Sequence, residues 1–482
     1  MLAYDFLLIL LSVVYTEQKS YEYYNNDVIG IQTRFLRRLS LHAHKYRDNL
    51  HLKRIHDARR RNATCMDGSD AKYYISHHAH SKDWVIHLQS GGGCITFDEC
   101  SDRANGPLGS SIPLDSKITG ECMLSNDPKI NPTFHKWNKV LIPYCSGDVF
   151  VGRQLKANHP YRMPMLGHYI VVAVIKDLIK KYKINRKRTK ILFGGTSAGG
   201  VGVIANLDHV QELAFPAQVK GYNDGGWFTL FPNFGENQKT NGLMESGLPK
   251  FFNTLTNVFE KNWDGFVDES CRKQMPKAAA CLYGELAITY LKTPIFVLSN
   301  FWDAYQMTQM VSMEYQPVNS PPLTKAERHF VSKFGNNTRR SLHRVLLNKN
   351  NGVFSPACHA HTFFESCIDG ILCGTPKERT YVIDGQSAYG ALAEWYESDG
   401  RKGSYIDQAE DDPSCNPSCC SIHCYKCRPF KMSKPTVSKI KTKQRKKHKK
   451  NPIVYYSSTS TNFTSIFYTL TCLIFSMLWN NS

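Results

Sequence analysis

The sequence predicts an α/β fold built on a mostly parallel central sheet, and two observations predict it. Short apolar runs of strand type alternate along the chain with segments of helical periodicity, and the runs end in glycine-rich or polar turns. One such turn reads Gly195-Thr-Ser197-Ala-Gly199, the spacing that lifts a serine hydroxyl clear of the backbone between a strand and a helix. That turn narrows the class to the α/β-hydrolase fold. An irregular, aromatic-rich stretch from Phe228 to Met275 interrupts the alternation and is expected to form a lid-like insertion.

The elements follow in order. Phe6–Tyr15 is a short apolar core followed by small and polar residues, the pattern of a secretory signal peptide ending near Thr16. Residues 17–61 form a basic, low-complexity lead without a clear core pattern, and the hydrolase domain is expected over 62–410. Trp84–Leu88 is a buried-type strand running directly into Gln89-Ser-Gly-Gly-Gly-Cys94. Lys139–Tyr144 is a second strand. His168–Tyr182 carries apolar residues at Ile170, Val174, Leu178 and Ile179, a helical spacing. The strand at Lys190 leads into the Ser197 turn and a helix to about Leu213. Gln218–Tyr222 is the next strand, ending at Asn223-Asp-Gly-Gly-Trp227, and Pro294–Leu298 ends at Asn300-Phe-Trp-Asp303.

The 482 residues carry a formal charge of +19 and 16 cysteines. The charge gathers in Arg34–Arg61 and Lys439–Lys450, arms whose partners would be a polyanion such as a heparan-sulfate-like glycan, or an acidic membrane surface. The signal and the cysteines argue for export, hence for disulfides and against nucleic acid. Asn62 and Asn336 lie in glycosylation sequons, as does Asn462.

A serine nucleophile needs an acid and a histidine after it in the chain. Asp224 and Asp303 both follow strands, and Asp303 is preferred because it ends the more apolar strand and lies later. His359 and His361, in Ser355-Pro-Ala-Cys-His-Ala-His-Thr362, are the candidate bases, and the residues alone do not choose between them. His343 lies in a cationic helical stretch and reads as a surface residue. The N–H of Ala198 is one expected oxyanion donor, and the Gly91–Gly93 turn is the expected source of the second. Cys415, Cys419, Cys420, Cys424 and Cys427, with His423, read as a disulfide knot rather than a zinc site. No phosphate loop, dinucleotide fingerprint or EF-hand is present, and no metal or cofactor is expected.

With these residues in hand, the chain resembles the Notum carboxylesterases of the pectin acetylesterase-like α/β-hydrolases. The matching pieces run in order from Cys65-Met-Asp-Gly-Ser to Cys415-Asn-Pro-Ser-Cys419. Between them lie Trp84 through Cys94 with Cys100 and Asp102-Arg103, then Ile142–Asp148 and Gly194–Gly200. Asp224-Gly-Gly-Trp-Phe228, Pro294–Gln306 and Phe354–His361 complete the set. The resemblance implies Ser197 as nucleophile, Asp303 as acid and His361 as base. It also implies oxyanion donors at Gly91, Gly92 and Ala198, and hydrolysis of the serine-linked palmitoleoyl ester of Wnt proteins outside the cell. Trp227, Phe228 and Tyr305 are the candidate acyl-pocket residues by position. The chain departs from the family at Gly92 and Gly93, where relatives carry aromatics, and at Gln89, where they carry glutamate. An O-acetylesterase acting on polysaccharide and a non-catalytic binder of acylated ligands or anionic glycans are the alternatives.

The end of the chain divides into a Cys-rich segment (411–430), a basic linker (431–456) and an apolar tail (457–482). Phe463–Trp479 is 17 residues long, at the short limit for a membrane span. With Ser457–Asn462 ahead of it, the tail reads as a GPI signal before a transmembrane anchor, so attachment to the cell surface is expected. Cys472 lies in that tail.

Overall fold

The strands reveal their own layering through side chains that alternate between two cores. In the strand Lys190–Thr196, Ile191 and Phe193 join one buried cluster while Leu192 joins the other. Ile295–Leu298 divides in the same way, Ile295 and Val297 to one side, Phe296 and Leu298 to the other. A run apolar on both faces is what a covered parallel strand requires. The computed structural model describes residues 49–156, 162–235, 250–313, 323–364 and 382–408. All of them belong to one compact unit, Met1–Phe430.

The strands, in chain order, are β1 (Asn49–Arg54), β2 (Lys72–Ser76), β3 (Trp84–Leu88), β4 (Lys117–Thr119), β5 (Asn138–Ile142), β6 (Lys190–Thr196) and β7 (Gln218–Asp224). There follow β8 (Ile295–Leu298), β9 (Trp302–Asp303), β10 (Gly352–Ser355), β11 (His359–Ala360), β12 (Val382–Ile383), β13 (Gln386–Ser387) and β14 (Tyr405–Ile406). Ten of them form one sheet in the order β14-β10-β8-β7-β6-β3-β5-β2-β1-β4. Neighbours from β14 to β5 run parallel, and the β2, β1, β4 edge is antiparallel. The helices are α1 (Phe97–Ala104), α2 (Gly167–Tyr182), α3 (Ala198–Ala214), α4 (Lys250–Val258), α5 (Glu269–Gln274), α6 (Gly284–Ala287), α7 (Lys325–Val345) and α8 (Ala388–Glu397). α2 and α3 cover one face of the sheet, and α8 covers the other. This is the mostly parallel α/β-hydrolase architecture that the alternating pattern predicts.

Two expectations need correction. The basic lead over residues 17–61 contains β1, so folded structure begins ahead of residue 62. An edge-side strand of this kind needs only Leu50 fully inside, and its charged neighbours face solvent, which is why no core pattern is visible. The insertion from Phe228 to Met275 is not irregular throughout. It contains α4, a π-helical turn at Phe259–Trp263 and α5, capped by the Asp268 carboxylate, which accepts from the N–H groups of Ser270 and Cys271. The signal peptide, the Cys-rich segment, the basic linker and the apolar tail lie outside the described residues. Among the described residues no helix is long and apolar enough to cross a membrane.

All eight cysteines among the described residues are disulfide-bonded, including Cys65–Cys145, Cys94–Cys100 and Cys271–Cys281. His343 is exposed near the end of α7, and Asn336 is exposed on the same helix. Asn62 is half-buried in a left-handed turn after Arg61.

Candidate active site

β6 and α3 meet at Ser197, whose φ of 54° and ψ of −114° place it in backbone space that side chains seldom occupy. The flanking glycines make the turn possible. A Cβ on Gly195 would lie 2.4 Å from the Gly199 oxygen, and one on Gly199 would lie 2.2 Å from the Leu88 oxygen. The Ser197 N–H donates to the Asp224 carbonyl at 2.7 Å, tying the turn to the neighbouring strand. Ala198 is the first residue of α3, so its N–H has no acceptor one turn back.

The acid and the base are brought together by a small parallel ladder apart from the main sheet. β9 pairs with β11, setting Ala360 opposite Asp303, and the next residue is His361. His361 Nδ1 lies 2.8 Å from Asp303 Oδ2, and His361 Nε2 lies 2.8 Å from Ser197 Oγ. The histidine that reaches Ser197 is therefore His361; His359 lies two residues back within β11. Asp303 is buried, and its other oxygen accepts from the Gln306 N–H at 2.8 Å. With Nδ1–H donating to the carboxylate, Nε2 is left as the acceptor for the serine proton. Tyr305 and Phe228 lie beside the imidazole, with ring centroids 5.3 and 6.4 Å away and planes within 24° and 10° of parallel.

Asp224, the alternative acid, has a different task. Its carboxylate accepts from the N–H groups of Phe363 and Phe364, each at 2.9 Å, and from the Thr196 hydroxyl at 3.2 Å. It clamps the chain just past His361. Burial pushes this carboxyl up to about 7, against the pull of those donors. A group with a raised folded-state pKa supports the fold most at low pH and loses that support as pH rises through the folded value. Asp224→Asn removes this titration. Relative to the unmodified protein, the variant is expected to gain up to about 4 kcal/mol between pH 4 and pH 8, on top of a constant loss from the missing acceptor. Denaturant unfolding at both pH values checks this; parallel pH profiles would refute it.

The glycine turn after β3 is tethered rather than loose. Arg103 donates to the Gly91 carbonyl, and the Cys94–Cys100 disulfide ties the turn to α1. The Gln89 side-chain oxygen accepts from the Tyr144 N–H at 3.0 Å, while the Tyr144 hydroxyl accepts from the Val149 N–H at 2.8 Å. A glutamate oxygen would accept in the same way, so the departure at position 89 is chemically small. The roles of Arg103 and Tyr144 are not visible in their sequence context. Only the placement of Asp102-Arg103 beside the glycine motif hinted at the first.

An apolar cavity adjoins these groups, lined by Gly93, Val149, Val201, Phe228, Trp263 and Tyr305 among others. Phe228 and Tyr305 both line it. Trp227 does not: it is buried in the core, with Nε1 donating to Ser341 Oγ at 2.9 Å and its ring against Gly284. Adjacent residues leaving a strand point to different sides, so only one of Trp227 and Phe228 can face the cavity. Among the described residues no group of three or more His, Cys, Asp or Glu is arranged to hold a metal.

A serine on a strand-to-helix turn, joined to a histidine and a buried carboxylate beside an apolar cavity, places the molecule in the class of α/β-hydrolases. The pectinacetylesterase family model matches residues 43–420, and the chain belongs to that family. It is 30% identical over 325 residues to palmitoleoyl-protein carboxylesterase notum2 of Xenopus laevis, covering 64% of this chain and 62% of that protein. It is 28% identical over 391 residues to palmitoleoyl-protein carboxylesterase NOTUM of Homo sapiens, covering 77% and 73%. Pectin acetylesterase 5 of Arabidopsis thaliana is 26% identical over 389 residues, covering 78% and 86%. The chain thus spans about three fifths of the length of the frog notum2 and zebrafish notum1a relatives, 62% and 60%. Among solved structures, the Wnt deacylase Notum from Drosophila matches with a TM-score of 0.63 and 27% identity, covering 77% of this chain and 99% of that one.

Proposed function

We propose that this protein is a serine carboxylesterase that removes the palmitoleoyl group from a serine of Wnt proteins and so lowers Wnt signalling. The observation that carries the reading is the Ser197–His361–Asp303 relay, with two contacts of 2.8 Å, beside a largely apolar cavity. Ser197 Oγ attacks the ester carbonyl while His361 Nε2 takes its proton, and Asp303 holds the imidazolium that forms. The N–H groups of Ala198, Gly91 and Gly92 receive the negative oxygen. His361 then returns the proton to the departing serine hydroxyl, leaving a palmitoleoyl ester on Ser197. Water, activated by the same histidine, releases the fatty acid.

The apolar lining of the cavity supports an acyl group longer than acetyl, because each buried methylene contributes about 0.8 kcal/mol. The relatives named for palmitoleoyl-protein hydrolysis support the same choice. The relatives named for pectin support acetyl ester cleavage instead. The experiment is incubation of the protein with a palmitoleoylated Wnt peptide and, separately, with acetylated pectin, each product being weighed by mass spectrometry. Loss of palmitoleate at the faster rate is expected. Faster release of acetate would overturn the substrate assignment, and tight peptide capture without product would mean a binding protein.

A further inference from the structure

The glycine turn leaves one wall of the cavity without a side chain of its own, and a different part of the chain supplies it. A Cβ built on Gly93 would lie 3.3 Å from Cη2 and 3.4 Å from Cζ2 of Trp263. The indole is only 1% exposed and occupies the space that a side chain at position 93 would take. It ends the π-helical turn Phe259–Trp263, the kind of local extra winding that re-aims a residue. Its backbone is fastened: the Trp263 carbonyl accepts from the N–H groups of Arg153 and Gln154 at 2.8 and 3.1 Å. Three residues on, the Phe266 N–H donates to the Val151 carbonyl at 2.7 Å. The Nε1–H of Trp263 is buried and finds no acceptor among the described residues.

The other aromatic walls cannot be altered independently, because Phe228 and Tyr305 both lie against the His361 ring. Trp263 has its contact on the glycine turn instead. We propose that Trp263 is the specificity-determining residue of this cavity, closing it against Gly93 and setting the longest acyl chain that the site accepts. The proposal rests on the esterase reading above. An acyl chain that outgrows the space must displace a ring whose backbone is pinned on both sides, and overfilling a close-packed wall is costly.

The test is kcat/KM for p-nitrophenyl esters from acetate to palmitate. For the unmodified protein, the value should climb by about fourfold per methylene and then fall once the chain meets the wall. Trp263→Ala should move that fall to chains longer by about two carbons or more. Adding Gly93→Phe to Trp263→Ala should bring the fall back, because a ring then returns from the opposite side. If Trp263→Ala does not fold, Trp263→Phe decides, with an expected smaller shift in the same direction. A fall that stays in place, or an equal loss for every ester, overturns the proposal. Ser197→Ala, run alongside, separates the two ideas. If it keeps the original rates, the esterase reading fails; if it is inactive and the fall does not move, only the role of Trp263 fails.

Discussion

Ser197→Ala is expected to lower kcat for ester hydrolysis by about 10⁴- to 10⁶-fold, with the folded structure intact. The hydroxyl is the only atom lost, and the site is built around it. It is 7% exposed, sits on a turn that its flanking glycines make possible, and lies 2.8 Å from the one imidazole that faces it. Nothing else at the junction of β6 and α3 can take its place, since Thr196 is engaged with Asp224. What survives should be the modest acceleration that oxyanion donors and substrate binding supply without a nucleophile. The measurement is steady-state hydrolysis of a short-chain ester, with the unfolding midpoint recorded for both proteins. A variant that keeps more than about a tenth of the original kcat would place the nucleophile elsewhere.

Gly91→Ala carries the second largest expected effect, a loss of about 10²- to 10³-fold in kcat, the amount associated with one oxyanion donor. A methyl group there would stand 2.2 Å from Cδ1 and 2.9 Å from Cε1 of Tyr144. That ring is 1% exposed and its hydroxyl holds the Val149 N–H at 2.8 Å, so it has nowhere to go. The turn itself must shift, and its N–H groups shift with it. The φ of +155° at this position adds backbone strain for any residue with a side chain. Gly92→Ala is the control. Its φ is +64°, but the nearest atoms to its Cβ are 3.8 and 3.9 Å away, so only the conformational cost of about 1–2 kcal/mol applies. Equal kcat losses in the two variants would refute the steric argument.

Much of this arrangement is legible in the sequence because it depends on short-range rules. Strands apolar on both faces announce a covered parallel sheet, and β3, β5, β6, β7 and β8 all lie where their apolar runs indicate. The turn at Ser197 is readable because two glycines at fixed offsets have a steric reason to be there. What could not be read depends on contacts between distant segments. Residue chemistry alone left His359 and His361 equal, and only the register of β9 against β11 turns the second toward Ser197. Asp224 looked like an acid because it follows a strand. Its true partners, the N–H groups of Phe363 and Phe364, are about 140 residues away. Trp227 was expected in the pocket from its place beside Phe228, whereas the tryptophan that lines it, Trp263, comes from a segment whose winding no periodicity reveals. β1 was hidden for the opposite reason, since a strand with a single fully buried residue leaves almost no hydrophobic signature.

The bond between Cys94 and Cys100 has a further implication for how the site is held together. It crosses only six positions, yet one of its ends is the residue that terminates the glycine turn. Without this bond the hydroxyl, imidazole and carboxylate would still be in place, but the amide-bearing turn would be held by hydrogen bonds alone, among them Arg103 to the Gly91 carbonyl and the Cys94 N–H to the Gly147 carbonyl. Selective reduction of this one bond would therefore loosen the oxyanion side of the site while leaving the nucleophile and its proton acceptor untouched.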